Sequence, residues 1–282
     1  MWNRGSIGRR AAVGLLAASF AVGCRTTGIV ALPPADAVFS PAPADFTLVT
    51  WNAQKGKHEG FRNDLRELLA GANPLLVFLQ EARADLMEEP PLVASFAPGW
   101  HYPWPGGATI GVLTLSWSKP IRLVSLHSRW REFLVTAPKV ALVSEHRLAD
   151  GSTLLALNVH LLNFERWSAF MLGAQLEELG AVMRDHAGPI VLAGDFNGWS
   201  ERRLALVEQM VRDVGLDEVG RFGDGRRTGD LGWSFLNWVF GVNPILPLDR
   251  VYYRGLVPGE VEVLPYTSSD HSALLVRFSL PD

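Results

Sequence analysis

Nine polar residues stand at the ends of otherwise apolar runs in this chain: Asn52, Glu81, Asn158, His160, Asp195, Asn197, Asp249, Asp270 and His271. Four are carboxylates, two are imidazoles and three are amides. Carboxylates and amides are hard oxygen donors of the kind Mg²⁺ or Mn²⁺ prefers. Carboxylate plus imidazole also suits Zn²⁺, but no His-Glu-x-x-His spacing occurs, and the single Cys excludes a thiolate site. Imidazoles beside acids and amides point instead to charge stabilisation and proton transfer. Taken singly, each residue is as well explained by a turn or a helix cap. Taken together, they are an odd way to end apolar strands unless the ends converge.

The elements that must position them are legible in order. Phe46 to Asn52 is a strand, and Leu75 to Leu79 is a wholly apolar strand ending in Gln80-Glu81. An amphipathic helix over 61–69, closed by Gly71 and Pro74, separates them. Pro90-Pro91 and Pro98-Gly99 read as turns, and strands follow over 109–117 and 121–126. Asp150-Gly151 joins the strands 139–147 and 153–160 as a hairpin, with Asn158 and His160 on one face of the second. The helix over 167–186 carries the stripe Ala169, Leu172, Leu176, Leu179 and Met183. The central strand Val191-Leu192-Ala193 then runs into Gly194-Asp195-Phe196-Asn197, and alternation predicts that Asp195 and Asn197 face one point. Ser200 is placed to cap a further helix. Residues 221–247 read as irregular, with Arg226-Arg227 and the aromatic run Trp233, Phe235, Trp238 and Phe240. The chain ends with strands at 248–253, 261–264 and 273–280. Many strands with few helices predict two packed sheets flanked by helices, an α+β fold.

The N-terminus has a separate logic. Arg4, Arg9 and Arg10 precede an apolar run from Ala11 to Val22 that ends in Gly23-Cys24. This is the pattern of a secretory signal, and Ala21-Val22-Gly23-Cys24 looks like a bacterial lipobox. Cleavage before Cys24 predicts a signal peptide over 1–23, a lipid anchor on Cys24 and a location on the extracytoplasmic side of the bacterial cell envelope. Residues 24–44, rich in Pro and Ala, read as a tether, and 45–282 as the globular domain. Removing the three Arg of the signal leaves 23 basic residues against 29 acidic, a net charge of −6. Such a chain does not advertise unaided binding to nucleic acid. A monomer is expected.

Six short segments carry a resemblance. Thr50-Trp51-Asn52, Leu79-Gln80-Glu81, Asn158-Val159-His160, Gly194-Asp195-Phe196-Asn197, Leu248-Asp249-Arg250-Val251 and Ser269-Asp270-His271 resemble, in order, the motifs of the endonuclease/exonuclease/phosphatase (deoxyribonuclease-I-like) superfamily. The likeness spans residues 46 to 280 and looks closest to the bacterial YafD-type branch. It implies a four-layer α/β/β/α sandwich and hydrolysis of phosphoric esters by an activated water. It also implies roles: Glu81 as Mg²⁺ (or Mn²⁺) ligand with Asn52 close by and Asp270 approaching the metal, and Asp195 activating the water beside Asn197. His271 would be held by Asp249, His160 would act near the leaving group, and Asn158 would bind phosphate. Apart from the resemblance, Arg131 (in Arg129-Trp130-Arg131), Arg250 and Trp233 are read as candidate substrate contacts, against solvated loop charge for the arginines and a buried hydrophobic cluster for the Trp233 stretch. Where several members of that family carry a further Asp, this chain has Gln54, which favours one metal over two.

The catalytic set does not choose among substrates. A nucleic acid, a phospholipid or sphingolipid head group and a small phosphoester all remain open, and so does a non-catalytic envelope lipoprotein using the fold as a binding module.

Overall fold

The computed structural model describes residues 28–32, 43–88, 92–101, 108–131, 138–163, 169–220, 247–264 and 266–281. The signal, Cys24 and the 221–246 segment with Trp233 lie outside them. Two sheets form the centre. Among the described residues, one has seven strands in the order β1 (Val30–Leu32), β4 (Val93–His101), β5 (Thr109–Ser116), β3 (Leu76–Arg83), β2 (Asp45–Asn52), β13 (Ala273–Ser279) and β12 (Val257–Leu264), and the other six in the order β10 (Asp217–Glu218), β11 (Asp249–Arg254), β9 (Ile190–Asp195), β8 (Thr153–His160), β7 (Pro138–Arg147) and β6 (Arg122–Arg131).

Each sheet contains one parallel pair. In the first, β2 (Asp45–Asn52) and β3 (Leu76–Arg83) are joined through helix α1 (Phe61–Ala72). In the second, β8 (Thr153–His160) and β9 (Ile190–Asp195) are joined through α2 (Ala169–Arg184). A parallel pair needs such a crossover, and both strands then finish at the same edge of the sheet. Asn52 pairs with Gln80, and His160 pairs with Asp195. Strand β11 (Asp249–Arg254) runs antiparallel to β9 and sets Asp249 opposite Asp195. Strand β13 (Ala273–Ser279) runs antiparallel to β2, so its start brings His271 to the end of β2.

Among the described residues, alternation sorts the side chains into three large cores and a small fourth cluster of Ala97, Val112, Val140 and Leu142. Leu48, Leu76 and Phe78 meet Ala156, Val191, Ala193 and Val251 between the sheets. Val49, Trp51, Val77 and Leu79 pack outward on Phe61, Leu65 and Leu68 of α1. Leu155, Leu157 and Leu192 pack outward on Leu172, Leu176 and Met183 of α2 and on Val207 and Val211 of α3 (Glu201–Asp213). Helix, sheet, sheet and helix are therefore stacked in four layers, as expected. Ser200 does cap α3, its Oγ accepting from the Arg203 backbone N–H at 3.4 Å.

Three strands depart from the sequence reading, the shortest being β10 (Asp217–Glu218), which pairs with β11 where no strand is expected. β4 (Val93–His101) crosses the stretch assigned to turns; it tolerates Pro98 because the pairing with β5 (Thr109–Ser116) shifts register there. β1 (Val30–Leu32), inside the stretch read as tether, pairs antiparallel with β4. The remaining strands are β6 (Arg122–Arg131), β7 (Pro138–Arg147) and β12 (Val257–Leu264). Among the described residues, no helix is long and apolar enough to cross a membrane.

Candidate active site

The inward-facing residues at the ends of β2, β8, β9 and β11 are Asn52, His160, Asp195 and Asp249, and all four are buried. They meet at the rim where the two sheets open. The Asn52 amide donates to Asp195 Oδ2 at 3.0 Å. Asp195 Oδ1 accepts the backbone N–H of Asn197 at 2.9 Å. Both carboxylate oxygens are thereby engaged, which fixes the rotamer of the Asp195 side chain.

Asn197 reaches this position by a different route from the one predicted. β9 ends at Asp195, and Asn197 has a φ of 47°, so the two do not share a strand face. The backbone of Asn197 steadies Asp195, while its side-chain amide donates to Leu161 O at 2.9 Å. Asparagine tolerates this left-handed conformation better than most residues. Arg203 of α3, also buried, holds the loop from behind: its Nε donates to Asn197 O at 2.8 Å and its guanidinium also bonds Leu162 O. The same guanidinium lies over the Trp199 ring, 5.1 Å from its centroid.

Glu81 owes its aim to a break in β3. Leu79 pairs with Leu113 and Ala82 with Gly111, so Gln80 and Glu81 together oppose Val112 alone. An extra residue of this kind is a β-bulge, and bulges re-aim side chains. Glu81 takes a φ of 47°, and its carboxylate lies 4.0 Å from His160 Nε2 and 2.7 Å from Lys55 Nζ. Burial pushes its carboxyl upward, but Lys139, Lys55 and His271 outweigh burial and hold it below the ordinary value. It stays ionised.

His271 Nδ1 donates to Asp249 Oδ2 at 2.5 Å, and both side chains are almost wholly buried. Asp249 thereby fixes the ring's orientation and keeps a proton on Nδ1. The His271 backbone is pinned on both sides: its carbonyl accepts from Trp51 Nε1 at 2.9 Å, and its N–H donates to Ser269 Oγ at 3.2 Å. His160 is different. Its Nε2 lies 2.7 Å from Lys139 Nζ and 3.6 Å from Asp195 Oδ2. An ammonium only donates, so Nε2 accepts and the ring is neutral. Burial holds this imidazole well below its ordinary value, Lys139 adds to the effect, and Asp195 opposes it.

Other expected residues lie elsewhere. Asn158 shares the inner face with His160 but sits deeper. Its Oδ1 accepts from Gln80 Nε2 at 2.8 Å, and its Nδ2 donates to Leu113 O at 3.0 Å, so the amide is spent clasping the two sheets and not on a phosphate. Arg250 follows Asp249 in the strand and so faces the opposite, helix side, where its Nη1 donates to Glu218 Oε1 at 2.5 Å. That placement takes it out of the Asp195 rim. Asp270 is exposed beside His271. Of Arg131 only the backbone, at the end of β6, is described, and Trp233 lies outside the described residues.

Sequence reasoning missed Lys55, Lys139 and Arg203. Lys55 stands three residues past Asn52, and Lys139 lies near the start of β7, the neighbour of β8. Position beside a motif was the only signal for either.

Among the described residues, no group of three or more His, Cys, Asp or Glu is arranged to close around a metal. A closed zinc-type cage is therefore not built among the described residues. The donor set of one ionised carboxylate with a nearby amide fits Mg²⁺, which keeps several waters and takes one or two carboxylates plus substrate oxygens. That Glu81 already carries a cation at 2.7 Å accords with this.

Residues 49–271 match the model of the Endonuclease/Exonuclease/phosphatase family. A UPF0294 protein of Vibrio vulnificus is 35% identical over 243 residues, covering 83% of this chain and 77% of that one; relatives of this kind are compatible with the bacterial branch expected above. The crystal structure of an endonuclease/exonuclease/phosphatase from Beutenbergia cavernae superposes with a TM-score of 0.61 at 15% identity, covering 84% of this chain and 72% of that one. A Staphylococcus aureus beta toxin variant with bound magnesium ions superposes at 0.54 with 13% identity, covering 82% and 99%. The two structures share the fold.

Proposed function

This chain belongs to the endonuclease/exonuclease/phosphatase family, and from that premise we propose that it is a Mg²⁺-dependent phosphoester hydrolase of the phosphodiesterase type, anchored in the bacterial cell envelope. The observation that carries the proposal is the doubly held Asp195 carboxylate, with Glu81 and a buried Asp249–His271 pair on the same rim.

In-line displacement at phosphorus asks the protein mainly to position groups and to offset charge. Asp195, oriented by Asn52 and by the Asn197 N–H, accepts the proton of the attacking water. His271, oriented by Asp249 and carrying a proton on both ring nitrogens, would donate from Nε2 to a phosphoryl oxygen and stabilise its charge. His160 is neutral, so positive charge on its side of the site comes from Lys139. Glu81, with Asn52 near it, would hold Mg²⁺, and the ion would act as a Lewis acid on the phosphate oxygens.

The envelope location rests on Arg4, Arg9, Arg10, the apolar run and Cys24. A lipidated Cys24 would make the membrane a partner of the chain. The net charge of −6 for residues 24–282 favours a phospholipid head group or small phosphoester over nucleic acid held by charge alone. The test is a panel of bis-p-nitrophenyl phosphate, p-nitrophenyl phosphate, plasmid DNA and sphingomyelin, each with Mg²⁺ or with EDTA. Turnover should require Mg²⁺ or Mn²⁺ and should fall by about 10²–10⁴-fold in Asp195→Asn, the usual contribution of a general base. Full activity in Asp195→Asn would remove the water-activating role. Cell fractionation of Cys24→Ser tests the anchor, since this variant should leave the membrane fraction.

A further inference from the structure

Lys55 is aimed at Glu81 by unusual backbone. Gln54, Lys55 and Gly56 have φ values of 45°, 64° and 56°, and only the last is a residue suited to them. The turn is held by three bonds: Asn52 Oδ1 accepts from Gln54 N at 3.0 Å, Ala53 O from Gly56 N at 2.7 Å, and Gln80 O from Ala53 N at 2.8 Å. Glu81, at the other end of the ion pair, is itself left-handed at 47°. Strain therefore sits on both partners of one contact. The pair is partly open to water, the two side chains being 32% and 20% exposed, and an ion pair in such a setting adds little to stability. Strain that stability does not repay is a mark of function. Gln54, beside the lysine, is neutral.

We propose that Lys55 is a resident counter-ion of the Glu81 carboxylate, displaced when a divalent cation binds there, so that metal binding and release of the Lys55 ammonium are one coupled event. The inference rests on Glu81 being the metal ligand. Coupling is reciprocal: whatever the ammonium gains from Glu81 is subtracted from the affinity of the ion. The ammonium holds the carboxylate's aim while no metal is present. It also makes the site bind metal more weakly than its donors alone would allow.

The experiment measures Mn²⁺ binding to the full-length chain by electron paramagnetic resonance, without substrate. Lys55→Gln should tighten Mn²⁺ by about ten-fold or more, the effect an adjacent opposite charge has on a carboxylate. Lys55→Arg keeps the charge and should bind like the native chain. Lys57→Gln, which removes an exposed charge two residues away, should change little. Glu81→Gln should lose Mn²⁺. Unchanged or weaker binding in Lys55→Gln, with binding still lost in Glu81→Gln, overturns the counter-ion role and leaves the metal site standing. Absence of binding in the native chain, or full binding in Glu81→Gln, overturns the metal assignment and the inference with it.

Discussion

His146 makes the stability of this fold sensitive to acid. The ring is fully buried on β7, with Nδ1 2.9 Å from Ser118 Oγ and Nε2 3.0 Å from Ser144 Oγ. Burial lowers its pKa from 6.5 to about 4, and the backbone bond to Ser118 opposes this only in part. The unfolded chain takes up a proton below pH 6.5 that the folded chain refuses until about pH 4. Stability from this group is therefore complete above pH 6.5 and lost as pH falls through that window. The gap of about 2.5 units amounts to about 3 kcal/mol at its full extent, at about 1.4 kcal/mol per unit. By pH 5 about 2 kcal/mol should be gone, a large share of a domain's usual margin. Urea denaturation at pH 7.5 and pH 5, for the native chain and for His146→Gln, measures it. Glutamine can bond both serines and does not titrate, so the variant should lose about 2 kcal/mol less than the native chain between the two pH values. Parallel losses would show that His146 is not kept neutral, and the reasoning from burial would fail. The result matters for the site too, because acid loss of activity above pH 4 must be separated from partial unfolding.

Three further outcomes are expected. Asp249→Asn removes the carboxylate that sets the His271 tautomer; kcat should fall by about 10²–10⁴-fold, with a changed pH–rate profile and little change in KM. Arg203→Met leaves Asn197 O and Leu162 O without their buried donor and should cost about 2–6 kcal/mol in urea denaturation, at about 1–3 kcal/mol for each group left unpaired. Arg203→Lys should recover only part, because a single ammonium does not reproduce the guanidinium fork. Asn158→Ala should lower stability by about 1–3 kcal/mol while KM stays within about two-fold, since its amide bonds the opposite sheet; a raised KM with native stability would instead restore the phosphate-binding role expected from sequence.

What the sequence determined on its own was the set of strand ends and their order. Apolar runs stop at Asn52, His160 and Asp195 because a strand that leaves the core exposes its last residues to the rim, and that change of polarity is local. The four-layer arrangement followed from the resemblance that those motifs carry. Depth, aim and partners were decided in three dimensions. Alternation put Asn158 and His160 on one face, yet only the packing of the two sheets made Asn158 a clasp and His160 a rim residue. Arg250 looks like part of its motif, but the pleat turns it to the helix side. Glu81 would have pointed outward, toward α1, in a regular strand; the bulge opposite Val112 is a property of pairing between distant segments and has no local sign. Lys55 and Lys139 carry no motif, and their charges count because Glu81 and His160 lie 2.7 Å away. Charge acts through space, and a sequence orders residues only along the chain.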